Sequence, residues 1–104
     1  MSDRIEQLEK FIQEDPGDPF NYYALALECA KSNEGKALGI LKELVKNHKD
    51  YLPIYYQLGK LYERVGQKAD ALNVYSIGIT IAQKQNDIKT LRELTAALQE
   101  LVEE

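Results

Sequence analysis

One cysteine and one histidine in 104 residues leave little material for chemistry. With Cys29 alone no internal disulfide can form, which fits a reducing compartment. Its position on a helix face that should be buried suits a small apolar residue better than a nucleophile. His48 has no second histidine and no cysteine at ligand spacing, so no metal site is expected. A cation near the end of a helix also meets a favourable dipole, a sufficient structural role for it. Gly35, Gly39, Gly59, Gly66 and Gly78 are scattered, so no loop cradles a phosphate. The carboxylates Glu103 and Glu104 stand at a chain end, and Glu63 has no obvious partner. The expectation is a non-enzyme without cofactor.

An excess of positive charge is missing too. Seventeen acidic and 13 basic residues give a net charge of −4. Lys31, Lys36, Lys42, Lys46 and Lys49 are interleaved with Glu34, Glu43 and Asp50, a solvated face rather than a nucleic-acid footprint. No run approaches the roughly 18 apolar residues of a membrane span. The start, Met1-Ser2-Asp3-Arg4-Ile5-Glu6, is polar and acidic where a leader would be basic, then apolar. A cytoplasmic protein is expected. The opening Met1 and acidic ending fit a complete small protein, and a piece cut from a longer one would look the same. The length predicts a single domain over 1–104, burying only about 65% of its unfolded surface.

Helical periodicity fills the chain, and no stretch alternates like a half-buried strand. Ile5, Leu8, Phe11 and Ile12 form the apolar stripe of a first helix over 3–15, with Asp3 and Glu6 at capping-box spacing. Asp15-Pro16-Gly17-Asp18-Pro19 stops it, and Asp18-Pro19 suits an N-cap and first helical position. A second helix from Pro19 to Lys31 turns at Ser32-Asn33-Glu34-Gly35 into a third, which buries Ala37, Leu38, Leu41, Leu44 and Val45. Pro53 fits the first turn of a fourth. That helix buries Tyr55, Leu58, Gly59, Leu61 and Tyr62, and Gly66 suits a left-handed cap. A fifth runs over 68–84. Asn86-Asp87 caps a sixth over 87–103, with Ile88, Leu91, Leu94, Leu98 and Leu101 on its apolar side. Loops this short join antiparallel neighbours.

Two stretches echo each other. Tyr22-Tyr23-Ala24-Leu25-Ala26 recurs 33 residues later as Tyr55-Tyr56-Gln57-Leu58-Gly59, and Ala37-Leu38, Leu41 and Leu44 return 34 residues on as Ala71-Leu72, Tyr75 and Gly78. A fixed period in the low thirties marks a helical repeat array. Tyr55, Leu58, Gly59, Tyr62, Gly66, Ala71, Tyr75 and Gly78 resemble the tetratricopeptide repeat. The unit over 52–84 matches nearly every position. The unit over 19–50 is looser, with Cys29 in an aromatic place. One residue fewer separates Ala26 from Ala37 than Gly59 from Ala71, so a tighter turn is expected there. The resemblance implies an all-α solenoid of antiparallel helix-turn-helix repeats. It makes the first helix a half-repeat and the sixth a capping helix with a polar outer face.

The same resemblance implies a protein or peptide partner held in a concave groove lined by the first helix of each unit. The groove positions hold Phe20, Tyr23, Leu27 and Ala30, then Pro53, Tyr56, Lys60 and Glu63, with Lys89, Arg92, Ala96 and Gln99 extending the surface. Of these, Phe20, Tyr23, Leu27, Tyr56, Lys60, Glu63 and Arg92 are the candidate protein-binding residues. Phe20, Tyr23 and Leu27 either form an exposed apolar patch or are covered, by the N-terminal helix or by an inward tilt of their unit. Tyr56 suits a hot spot. The carboxylate clamp of chaperone-binding members is absent, since Tyr23, Leu27 and Gln57 stand at its positions. Lys60, Arg64 and Arg92 serve either acidic groups of a partner or solvent. The alternative function is self-association through the apolar face of the first unit, giving a homo-oligomeric structural protein.

Overall fold

The structure, a computed structural model, describes residues 3–104; Met1 and Ser2 of the polar start lie outside the described residues. The described residues form six helices and no strand: α1 (Asp3–Glu14), α2 (Pro19–Cys29), α3 (Glu34–Asn47), α4 (Pro53–Arg64), α5 (Lys68–Gln85) and α6 (Ile88–Val102). The chain divides into two compact units, Met1–Tyr51 and Leu52–Glu104.

In the first unit α2 packs against both α1 and α3. Leu8 of α1 is fully buried, whereas Phe11, expected on the same buried stripe, is more than a third exposed. Asp3, the first described residue, is already helical rather than a cap, and its charge in the first turn, with that of Glu6, suits the helix dipole. Asp18 is extended, accepts a hydrogen bond from the Phe20 amide at 3.0 Å, and hands over to Pro19 at the first helical position. Tyr22 ties the preceding loop down by donating its hydroxyl to the Pro16 carbonyl at 3.0 Å. Asn33 caps α3 through the Lys36 amide, so Glu34 and Gly35 are helical rather than part of the turn.

The expected tighter turn is not found. Residues 30–33 join α2 to α3, while only residues 65–67 join α4 to α5. The missing residue comes out of the helix: α2 runs on for three residues past Ala26 and α4 for five past Gly59, so the first unit's helix end is shorter by two while its loop is longer by one. Gly66 explains the difference. Its φ of 81° lets the Gln67 amide reach back to the Tyr62 carbonyl at 2.8 Å, the closure that a left-handed residue permits. The first unit has no glycine in that loop. Its chain closes instead on the Cys29 carbonyl, which accepts from the amides of Ser32 and Asn33 at 3.0 and 2.7 Å.

In the second unit α5 packs against α4 and α6. Close approach is possible because both crossing points are glycines. A Cβ on Gly78 would lie 2.6 Å from Tyr55 Cβ and 2.9 Å from Leu94 Cδ1, distances that real contacts do not tolerate. Asn86 ends α5 in the left-handed conformation at φ 57°, and Asp87 caps α6 by accepting from the Thr90 amide at 3.0 Å. Two residues therefore end one helix and start the next.

The core of α6 keeps Leu94 and Leu101 of the expected apolar side but not the rest of it. Leu94, Ala97 and Leu101 are its buried residues, while Ile88 is 57% exposed and Leu91 and Leu98 are half-buried. The polar outer face expected of this helix is also interrupted, since Val102 is 63% exposed.

Candidate functional site

Phe20, Tyr23 and Leu27 lie on one face of α2, at the spacing of three and four residues that keeps side chains in line. Phe20 is 53% exposed; Tyr23 and Leu27 are half-buried. Tyr23 meets Tyr51, at the end of the same unit, edge to face, with ring centroids 5.8 Å apart and planes inclined by 69°. Such pairs are worth about 0.5–1.5 kcal/mol beyond the area they bury. Burial, helped by Tyr23 and the negative charge of Asp18, pushes the Tyr51 hydroxyl above its usual pKa.

In the second unit Tyr56, Lys60 and Glu63 share a face of α4, opposite the fully buried Ile54 and Tyr55. The Lys60 ammonium sits 5.5 Å from the centroid of the Tyr56 ring, within cation–π range. It also lies 3.8 Å from Glu63 Oε2. Glu63 has a second partner: the hydroxyl of Tyr75, reaching across from α5, donates to that same oxygen. Sequence reading left Glu63 unpartnered because the residue that holds it is on another helix, 12 residues away. Tyr75 is pushed far above the usual tyrosine range, first by burial and then by its hydrogen bond to the Glu63 carboxylate. Arg92 is exposed on α6.

The first unit lacks this arrangement. At the register positions of Gly59, Glu63 and Tyr75 it carries Ala26, Ala30 and Leu41, so neither the buried hydroxyl nor the carboxylate has a counterpart. The two faces differ in kind. One is an aromatic and aliphatic patch, the other a tyrosine with an oriented ion pair.

A feature that sequence reading missed is a cleft of about 490 Å³ in the first unit, between Pro16, Tyr22 and one face of α3. Gly35 and Gly39 line that face four residues apart, beside Ile40 and Glu43. No atom would touch a Cβ on Gly39. The signal was present in the spacing of the two glycines, which empties one strip of the helix. Among the described residues no group of three or more His, Cys, Asp or Glu is placed to hold a metal ion. No described helix is long and apolar enough to cross a membrane.

Two helix pairs of the same design, each with a small residue at the crossing and aromatic side chains around it, define a helical-repeat protein. No protein-family model matches the chain, and no curated protein does. Solved structures do. The solution structure of a tetratricopeptide repeat domain protein from Salinibacter ruber is 44% identical, covers 84% of this chain and 89% of its own, and superposes with a TM-score of 0.80. A crystal structure of the tetratricopeptide repeat domain protein from that organism is also 44% identical, covers 81% and 96%, and gives 0.78. A protein from Bordetella parapertussis, 23% identical, shares the fold over 99% of this chain and 90% of its own, with a TM-score of 0.83. This chain belongs to the tetratricopeptide repeat family.

Proposed function

We propose that this chain is a protein-interaction module that holds a peptide or protein segment against the first helix of a repeat. Family membership supports a binding role rather than a catalytic one. The observation that carries the reading is the arrangement on α4. Lys60 is fixed over Tyr56 and beside Glu63, whose carboxylate is anchored from behind by the buried Tyr75. A surface ion pair alone would contribute little. An aromatic ring and two charges already held in place lose little freedom when a partner arrives, which is where affinity is otherwise lost. On α2 the exposed Phe20 and the braced Tyr23 offer apolar contact of the kind concentrated at interaction sites. The partner is a protein or peptide, and the single buried thiol of Cys29 fits a reducing, cytoplasmic setting.

The test is selection of peptides from a displayed random library against the wild-type chain, followed by affinity measurement with Tyr56→Ala, Lys60→Ala and Tyr23→Ala. A loss of about tenfold or more in one of them, of the size typical of a hot spot, is expected with the helical melting curve unchanged. Wild-type affinity in all three variants would show that neither face binds.

A further inference from the structure

Helix α6 has two apolar faces, and its own unit buries one of them and covers the other only in part. Leu94, Ala97 and Leu101 are buried against the rest of the unit. Ile88, Leu91, Thr95, Leu98 and Val102 follow a second line, with steps of three, four, three and four residues. That is the seam spacing by which one helix packs along another. Its ends, Ile88 and Val102, are 57% and 63% exposed, and the three residues between them are half-buried. We propose that this line is a self-association face, on which a second copy of the chain lays its own α6 antiparallel, about a two-fold axis through Thr95.

The order of the side chains argues for this occupant. Read from either end the line is β-branched, Leu, Thr, Leu, β-branched. An antiparallel copy therefore sets Ile88 level with Val102 and Thr95 with itself, and brings Leu91 within one residue, about 1.5 Å along the helix, of Leu98. A two-fold interface requires such self-complementarity, because one patch must serve both sides. Charge agrees with the direction. Lys89 and Arg92, with Glu93, lie in the first half of α6, whereas Glu100, Glu103 and Glu104 lie at its end. Antiparallel pairing brings the acidic end of each helix to the basic half of the other, and opposes the two helix dipoles. Parallel pairing would set the acidic ends together. Five side chains over two heptads give an interface near the lower limit of about 1,000 Å² for a specific contact. The dimer is accordingly weak, with a Kd on the order of micromolar or above.

The experiment is sedimentation of the wild-type chain from about 1 μM to about 1 mM, with disulfide trapping. A concentration-dependent dimer is expected. Thr95→Cys should cross-link on mild oxidation, because the two thiols meet at the axis. Ile88→Cys should not, since its counterpart lies about 14 residues, roughly 21 Å, along the helix. The Ile88→Lys/Val102→Lys double variant changes only exposed side chains, so it should stay folded by circular dichroism and dimerise at least about tenfold more weakly. A monomer at every concentration overturns the proposal. So does cross-linking of Ile88→Cys, with or without that of Thr95→Cys, which reports a parallel pair. A dimer undiminished in the double lysine variant also overturns it and moves the interface elsewhere, the α2 face included.

Discussion

The ring of Tyr75 occupies the space that a side chain on Gly59 would need. A Cβ there would fall against Cε1, with Cδ1 only 2.6 Å away. From that position the ring passes over the α4 backbone, and its hydroxyl arrives one turn further on, at Glu63. The smallest residue on one helix thus determines where a polar group from the next helix emerges. It links the packing of α4 and α5 to the charged face that the proposed function uses.

Gly59→Ala should therefore destabilise the fold. The helix-propensity gain of up to about 1 kcal/mol is smaller than the overpacking cost of about 1–3 kcal/mol, because a buried ring has nowhere to retreat. Adding Tyr75→Leu, which reproduces the Ala26 and Leu41 of the first unit, should restore part of the loss. Denaturant unfolding of both variants checks this; no recovery in the double variant would count against ring contact as the cause.

Tyr75→Phe keeps the ring and removes the hydroxyl. The expected loss is on the order of 1–2 kcal/mol, since the bond goes to a charged acceptor. Glu63 would also lose its anchor, so binding through α4 should weaken while Tyr56 and Lys60 remain.

Alkaline pH offers a separate check. Tyr75, Tyr62 and Tyr51 are all raised above the usual value of 10.0, chiefly by burial. The folded state then keeps phenol protons that the unfolded chain releases above about pH 10. Their stabilising contribution is whole below that pH and declines as pH rises beyond it. Melting temperatures between pH 8 and 11, by roughly half-unit steps, should fall at the alkaline end, and less steeply in Tyr75→Phe.

Two glycines should respond oppositely to alanine. Gly66 has φ 81°, so Gly66→Ala should cost about 1 kcal/mol or more. Gly39 is helical with open space around its Cα, so Gly39→Ala should add about 0.5–1 kcal/mol. Thermal melts of the pair decide it.

Loss of a cap is the last test. Asp87→Ala removes the acceptor of the Thr90 amide and should lower stability by about 1 kcal/mol, seen as an earlier melt of the helical signal.

Much of this molecule was legible from its residues alone. Local rules carried the helices and most of their ends: Asp18 before Pro19, Gly66 after α4 and Asp87 before α6 each act through atoms within a few positions. The repeat itself was legible for the same reason, because Gly59 with Tyr75 and Gly78 with Tyr55 are choices of size forced by two backbones in contact. Other features needed the tertiary structure. Periodicity found an apolar α6 but could not tell which of its two adjoining apolar lines faces the core. That depends on where α5 stands, and it left Ile88 outside and Ala97 inside. Glu63 looked solitary until α5 brought Tyr75 to it across the turn. The shorter spacing in the first unit was absorbed by α2 rather than by the loop, because without a glycine the chain had no left-handed residue with which to turn sooner. Sequence determines what each segment prefers. Which preference is satisfied, and which apolar line stays exposed, is decided by the neighbours it meets.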